Sequence, residues 1–173
     1  SLALVSCGGS SGAGSGPIVL NVGATTEPTG MDPATDTGAG TPFVLLYNVY
    51  ETLVRIDEKG EIKPLLARSW SVSSDGSAYT FKLEPNAPFA SGKPVNAAAV
   101  IASFERTRDG ENTTEVLKKQ MSHVKEMRAV DERTVEVSLT GPSRRWLYDI
   151  TSTAGIIYDL SSEQNLSEQP AGS

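Results

Sequence analysis

The residues of this chain that could perform chemistry are few and lie far apart in the sequence. The 173 residues include one histidine, His123, and one cysteine, Cys7. A hydrolase needs a nucleophile, a base and an orienting group close together, yet no serine-containing elbow motif surrounds His123, which we expect at the surface or at an element boundary. The candidate carboxylate pair for acid–base chemistry, Asp131 and Glu132, falls in a predicted turn, where solvent would surround it. The sequence therefore predicts a protein that is not an enzyme.

Sequence signals for metals, cofactors and nucleic acids are also missing. A single cysteine can form neither an internal disulfide nor a cysteine-based zinc site, so we expect no metal and no cofactor. The Gly/Ser run at residues 8–16 precedes every predicted strand, so it is not a phosphate-binding loop. With 15 Lys and Arg against 21 Asp and Glu, the formal net charge is −6. No basic stripe is present to neutralise phosphates, so nucleic acid is not an expected partner.

Cys7 lies in a pattern that predicts lipidation. Leu4-Val5-Ser6-Cys7 fits the bacterial lipobox, in which the cysteine thiol receives a diacylglyceryl group, although a match of four residues can arise by chance. Residues 1–3 look like the end of an apolar signal region, and residues 8–16 have the composition of a flexible tether. We therefore expect residues 1–16 to be a signal-peptide remnant, lipobox and tether. No run of about 20 apolar residues predicts a membrane span.

Three β-hairpins are predicted in the middle of the chain. Tyr79, Phe81 and Leu83 alternate with polar residues, the period-two pattern of a half-buried strand. Asp75-Gly76 tolerates the positive φ that a reversal needs, so residues 70–83 are predicted to form a hairpin. Asp-Glu-Lys-Gly at 57–60 gives the same prediction for residues 54–62. Residues 124–130 and 135–139 are predicted to pair about a turn at 131–133.

Helical spacing predicts the remaining elements. Thr41-Pro42 has the capping hydroxyl and first-turn proline of a helix start. The apolar face of that helix is predicted to contain Phe43, Leu46, Tyr47 and Tyr50, with Asn48 and Glu51 facing solvent. A second helix is predicted from Asn96 to Asp109-Gly110, because residues 97, 100, 101 and 104 form an amphipathic stripe. A shorter helix is predicted from 113 or 114 to 121, and the resemblance given below implies another within 144–150. Residues 18–24 are predicted to be a buried strand, and residues 156–158 a further strand.

Residues 47–92 resemble the signature region of the family 5 extracytoplasmic solute-binding proteins, which supply peptides, nickel or sugars to ABC importers. The matching elements are, in order, Tyr-Glu-Thr-Leu-Val at 50–54, Pro-Leu-Leu-Ala-Arg-Ser-Trp at 64–70, Asp-Gly at 75–76, and Tyr-Thr-Phe-Lys-Leu at 79–83. Phe89, Gly92, Lys93 and Pro94 then lead into a helix, as they do in the family. Each element alone is ordinary hairpin chemistry. Their order indicates the family.

The resemblance implies an α/β fold: a periplasmic-binding-protein-like (type II) fragment, with a mixed sheet and an inserted α+β subdomain. Two lobes would close on a ligand about a hinge. Residues 17–45 are then the first part of lobe I, residues 46–155 the inserted subdomain, and residues 156–173 the return toward lobe I. Pro-Ala-Gly-Ser at 170–173 resembles the start of the family's Gly-rich segment. The second lobe is expected to be absent from this chain.

The same resemblance implies the function. We expect the substrate-binding component of an ABC importer, which captures dipeptides or oligopeptides, or nickel or another small solute, outside the membrane and delivers them to the permease. A lipid anchor at Cys7 and a monomeric state are expected. Ligand-binding residues are expected in the loop after the first strand, since binding groups are common on loops of rigid scaffolds and backbone amides can pair with an extended peptide. The candidates are Glu27, Pro28, Thr29 and Asp32.

Other interpretations remain open from the sequence. The segment with Asp32-Pro33 can be an ordinary polar connector. A surface lipoprotein that docks a protein partner, without transport, is the alternative function, and an envelope enzyme is a third. Because the second lobe would supply many ligand contacts, we expect this chain alone to bind peptide weakly or not at all.

Overall fold

A four-stranded antiparallel sheet with helices packed against it forms the centre of the structure. The computed structural model describes residues 26–36, 38, 40–161, 166 and 172. The elements are, in chain order, α1 (Gly40–Leu45), β1 (Val54–Ile56), β2 (Ile62–Pro64), β3 (Ala67–Val72), β4 (Ala78–Leu83), α2 (Ala97–Asp109), α3 (Glu115–Met121), β5 (Val124–Asp131), β6 (Thr134–Leu139) and α4 (Arg145–Asp149). A short 3-10 turn, Thr153–Gly155, follows. The large sheet has the order β3-β4-β6-β5, and β1 pairs with β2 separately.

The three predicted hairpins are confirmed. β3 and β4 pair with Trp70 opposite Phe81, and β5 pairs with β6. Gly76 and Gly60 adopt φ of +73° and +79°, a conformation in which a side chain would cost free energy. These glycines allow tight reversals between β3 and β4 and between β1 and β2.

The core lies between the sheet and the helices and is centred on Trp146 of α4. The indole is fully buried. Its ring centroid lies 5.1 Å from the ring centroid of Tyr79, 6.2 Å from that of Phe81 and 6.3 Å from that of Phe104 in α2. Alternate residues of β4 and β6 point to this side; they are Tyr79, Phe81, Leu83, Val135, Val137 and Leu139, all buried. The period-two pattern read from the sequence thus corresponds to the core face of the sheet.

The predicted second, third and fourth helices are confirmed with bounds close to those expected. Asn96 precedes α2 and its side-chain oxygen accepts a hydrogen bond from the Ala99 N–H at 2.9 Å, as a capping residue does. Gly110 follows the helix, and its N–H donates to Arg106 O. α3 begins after Thr114, as the sequence indicates.

The predicted face of the first helix is wrong in two of its members. α1 ends at Leu45, and Tyr47 has φ of +64°. Phe43 is 79% exposed and Tyr47 is 42% exposed, whereas Tyr50 is fully buried. The chain reverses because Leu45 O accepts the N–H groups of both Val49 and Tyr50. The helical spacing therefore breaks before the aromatic face is complete. Asn48 is exposed, as expected.

Residues 156–158 do not form the predicted strand. Ile156 makes a single antiparallel bridge with Thr52, and Ile157 N–H donates to Glu51 O at 2.9 Å. The next N–H, from Tyr158, donates instead to the Ser103 hydroxyl of α2 at 2.9 Å. A helix side chain thus replaces the strand partner that a ladder would require. The predicted strand 18–24 lies outside the described residues.

Gly172 lies against the backbone that follows α1. Its carbonyl accepts the Ala90 N–H at 3.0 Å. A Cβ added to Gly172 would lie 1.8 Å from Val49 O. Only glycine permits this close approach of two backbones.

Candidate functional site

Residues 26–36 and 38 lie at the start of α1, and three of them, Pro33, Asp36 and Gly38, line one wall of the candidate site. This segment contains neither helix nor strand among its described residues, in agreement with the predicted loop. Its start packs tightly on α1, since a Cβ on Gly40 would lie 2.6 Å from Glu27 O. The backbone N–H groups of Glu27, Thr29 and Met31 have no hydrogen-bond acceptor within the described part of the chain.

The middle of this segment is organised by the Asp36 carboxylate. Oδ1 accepts the Thr29 hydroxyl at 2.5 Å and the Gly38 N–H at 2.8 Å, and Oδ2 accepts the Thr41 hydroxyl. Burial raises the pKa of Asp36, but the hydrogen bonds from Thr29 and Thr41 outweigh it, so the pKa lies below its usual value. The carboxylate is ionised at neutral pH and ties the loop to the first turn of α1.

Asp32 is buried and pairs with Arg106 of α2. Its Oδ2 lies 2.5 Å from Arg106 Nη2, with the side chains 5% and 21% exposed. Oδ1 accepts the Ala34 N–H at 3.1 Å. The guanidinium carbon lies 4.7 Å from the centroid of the Tyr158 ring, a favourable position for a cation over a π-system. Burial raises the pKa of Tyr158, so this phenol is neutral.

A depression of ≈ 230 Å³ lies between this segment and α3. Its lining residues share two origins, the segment with the start of α1 and the α3 region with the 3-10 turn; they are Pro33, Asp36, Gly38, Pro42, Thr114, Val116, Leu117 and Thr153. Val116 is 67% exposed on α3. The site offers apolar contacts and polar backbone groups, a common combination in pockets for small molecules and peptides.

A family model for the bacterial extracellular solute-binding proteins, family 5 (middle region), matches residues 61–173. The chain belongs to this family. A relative named "Probable D,D-dipeptide-binding periplasmic protein DdpA", from Escherichia coli (strain K12), is 33% identical over 145 residues, which cover 80% of this chain and 27% of the relative. The chain thus spans about a quarter of that curated relative.

Solved structures of family 5-like binding proteins have the same fold. The structure titled as a nickel ABC transporter from Bacillus halodurans superposes with a TM-score of 0.72 at 30% identity, covering 85% of this chain and 29% of that one. The periplasmic binding protein DppA from Helicobacter pylori, in complex with peptide STSA, gives a TM-score of 0.71 at 27% identity, covering 84% and 33%. The expected fold class, a fragment of a type II periplasmic binding protein, is confirmed.

The four residues predicted to bind ligand differ in their exposure. Glu27 and Thr29 are exposed and Pro28 is half-buried, whereas Asp32 is buried. The Asp32 carboxylate is occupied by Arg106, so it shapes the segment from behind. Their ligand role stays a prediction. Cys7 lies outside the described residues.

Sequence reasoning missed the residues that complete this site. Asp36, Arg106 and Val116 were not singled out. A local signal existed only for Asp36, which sits four residues from Asp32 and precedes the predicted helix start at Thr41. Nothing in the sequence near Arg106 or Val116 points to a loop more than 70 residues earlier.

The catalytic candidates do not form a constellation. His123 is exposed, as expected. Asp131 accepts the Arg133 N–H at 2.7 Å in the β5–β6 turn. Among the residues described, no cluster of three or more His, Cys, Asp or Glu could bind a metal ion, and none of the helices is long and apolar enough to cross a bilayer.

Proposed function

We propose that this chain is the ligand-binding part of an ABC importer's substrate-binding component, with dipeptides or oligopeptides as its cargo. One observation carries the proposal. The depression of ≈ 230 Å³ adjoins a segment whose Glu27, Thr29 and Met31 N–H groups have no acceptor within the described residues. An extended peptide offers carbonyl acceptors at regular spacing, and such main-chain pairing is a known mode of peptide recognition.

The relatives support a small solute as cargo and differ in its identity. They include a D,D-dipeptide-binding protein, glutathione-binding proteins and a nickel transporter. We propose peptide because the D,D-dipeptide-binding relative and the DppA structure in complex with peptide STSA both concern peptides. None of Glu27, Pro28, Thr29 and Asp32 lines the depression itself. The proposal assigns contacts with the peptide to the first three and the shaping of the backbone to Asp32.

A titration followed by NMR tests this proposal. Tri-alanine added to the isotopically labelled chain should shift the amide signals of Glu27, of residues 29–31 and of residues 114–117. Because this site is one wall, the dissociation constant should be weak, on the order of 1 mM, which corresponds to about −4 kcal/mol. The sequence left open whether the chain alone binds peptide weakly or not at all, and the proposal commits to weak binding. Shifts confined to other regions, or none at saturating peptide, would therefore refute it. Nickel chloride in a parallel titration tests the alternative cargo.

We also propose a lipid-anchored, extracytoplasmic location and a monomeric protein that delivers its cargo to a membrane permease. Family membership supports the location outside the cytoplasm, and the lipobox at Leu4-Val5-Ser6-Cys7 supports the anchor. Mass spectrometry of the protein extracted from membranes should find a diacylglyceryl adduct on Cys7. Cys7→Ala should release the protein from the membrane fraction, and unchanged membrane association would contradict the anchor.

A further inference from the structure

Arg106 does not line the depression, yet it contacts both of the regions that do. Its guanidinium binds Asp32 Oδ2 at 2.5 Å, and its carbonyl accepts the Thr113 hydroxyl at 3.0 Å and the Gly110 N–H at 2.9 Å. The side chain thus holds the loop of residues 32–36, and the backbone holds the chain that leads into α3. One residue therefore lies between the two halves of the site.

The loop side of this link is closely determined. Asp32 O accepts the N–H groups of Thr35 and Asp36 at 3.2 and 3.0 Å. Its carboxylate also accepts the Thr35 hydroxyl at 3.2 Å. The orientation of Asp32 therefore fixes the positions of Pro33 and Asp36, two of the residues that line the depression.

The guanidinium itself has little freedom. Its carbon lies over the Tyr158 ring, which is fully buried and meets Tyr50 edge-on at 5.2 Å. The Tyr50 hydroxyl in turn donates to Met31 O at 3.2 Å. Arg106 is thus clamped between an aromatic ring that contacts the loop indirectly and a carboxylate that belongs to it.

The start of α3 also contacts this loop. The Thr114 N–H donates to Ala34 O at 3.0 Å, so the start of α3 touches the same turn that Arg106 binds. Thr114 also lines the depression. A shift of Arg106 would therefore change the spacing between the loop and α3, and with it the width of the site.

We propose that Arg106 is a positioning residue that sets the geometry of the ligand site without contacting the ligand. The inference rests on the proposed function, since it concerns the same depression. A planar guanidinium that stacks and pairs at once is poorly replaced by lysine, whose ammonium is a flexible point charge. Preorganisation of this kind raises affinity by reducing the ordering that binding requires.

Amide hydrogen exchange on Arg106→Lys tests the inference. The amides of Thr35, Asp36 and Thr114 should exchange about tenfold faster, while the amides of Phe81 and Val135 in the central strands change by less than about twofold. Arg106→Met should show the same pattern more strongly. Arg128→Met, which removes an exposed ion pair with Glu136, is the matched control and should change neither group.

Tri-alanine titration of the same variants provides the functional readout. Arg106→Lys should weaken binding about tenfold, whereas the Arg128→Met control should leave it unchanged. Unchanged loop exchange in both Arg106 variants, or a uniform acceleration that includes the central strands, overturns the positioning role. Absence of tri-alanine binding by the unsubstituted chain overturns the proposed function instead, and the exchange pattern still decides whether Arg106 positions the loop.

Discussion

The sheet and the loop of residues 26–36 are held in place by different kinds of contact. In the sheet, each of the pairs β3–β4 and β5–β6 joins neighbours in sequence across a short turn. In the loop, the decisive contact joins Asp32 to Arg106, 74 residues later. The sheet is therefore built mainly from near neighbours, whereas the loop takes its shape from a helix that forms elsewhere in the chain.

The difference shows which region can change its shape without loss of the core. A hairpin with a buried face tolerates few substitutions, because a shift by one residue exposes its core side. The loop has few buried apolar side chains and is anchored at a small number of polar points. Substitutions between those points can alter the depression while Trp146 and the sheet stay intact. Four experiments compare the core, the loop and two hairpin turns, from the largest expected effect to the smallest.

Trp146→Ala should produce the largest loss, about 4 kcal/mol in the free energy of unfolding, because it leaves a large cavity among Tyr79, Phe81 and Phe104. Urea denaturation monitored by circular dichroism measures it. Trp146→Phe is the matched control. The indole Nε1 has no hydrogen-bond partner among the described residues, so phenylalanine loses no bond and should cost less than half as much. Equal losses would show that the aromatic packing is not the main contribution.

Asp32→Ala should cost about 3 kcal/mol, since it leaves the Arg106 charge partly buried without its partner. The low end of the usual range is expected because the Arg106 side chain is 21% exposed. Chemical denaturation gives the value. Glu136→Ala removes the exposed pair with Arg128 and should cost less than about 1 kcal/mol. A similar loss in both variants would contradict the special role of the Asp32 pair.

Gly60→Ala should cost about 1–2 kcal/mol, because φ at this position is +79° and a side chain is strained there. No atom lies within 4 Å of the added Cβ, so the loss measures backbone strain alone. Gly141 also has open space for a Cβ but no positive φ. Gly141→Ala should therefore change stability by less than about 0.5 kcal/mol, as an ordinary surface substitution does. Thermal unfolding of the two variants measures the difference, and equal changes in stability would contradict backbone strain at Gly60.

The smallest effect concerns pH. Hydrogen bonds from the Ser73 and Ser77 hydroxyls lower the pKa of Asp75 from 3.8 to about 2. A lowered pKa in the folded state contributes stability that is present above pH 3.8 and is lost as the pH falls toward 2. The unfolding midpoint of Asp75→Asn should therefore fall less than that of the unsubstituted chain across this window. Parallel curves for the two proteins would show that the turn's carboxylate does not contribute.

The sheet could be predicted from the sequence because its determinants are local. Tyr79, Phe81 and Leu83 show the alternation of a half-buried strand. Asp75-Gly76 marks the turn that joins β3 to this strand. Asn96 likewise marks the start of α2 within a few residues. In each case the physical cause, a half-buried strand or a capped helix, lies in the same stretch of chain as the signal.

The position of the candidate site could be predicted from the sequence, but the contacts that shape it could not. The position of the loop followed from the family resemblance, whereas the Asp32–Arg106 pair has no local signature. The end of α1 was missed for the same reason. Tyr47 holds φ of +64° while its hydroxyl donates to Thr151 O, more than 100 residues away. Helical spacing alone cannot anticipate a turn that a distant carbonyl stabilises.

Gly172 lies against the backbone of Val49, a residue far earlier in the chain. The chain therefore returns at residue 172 to the backbone that follows α1. This contact adds to those that join Asp32 to Arg106 and Ala34 to Thr114. A Cβ at position 172 would clash with Val49 O. The Gly172→Ala protein should therefore lose this contact before it loses the sheet.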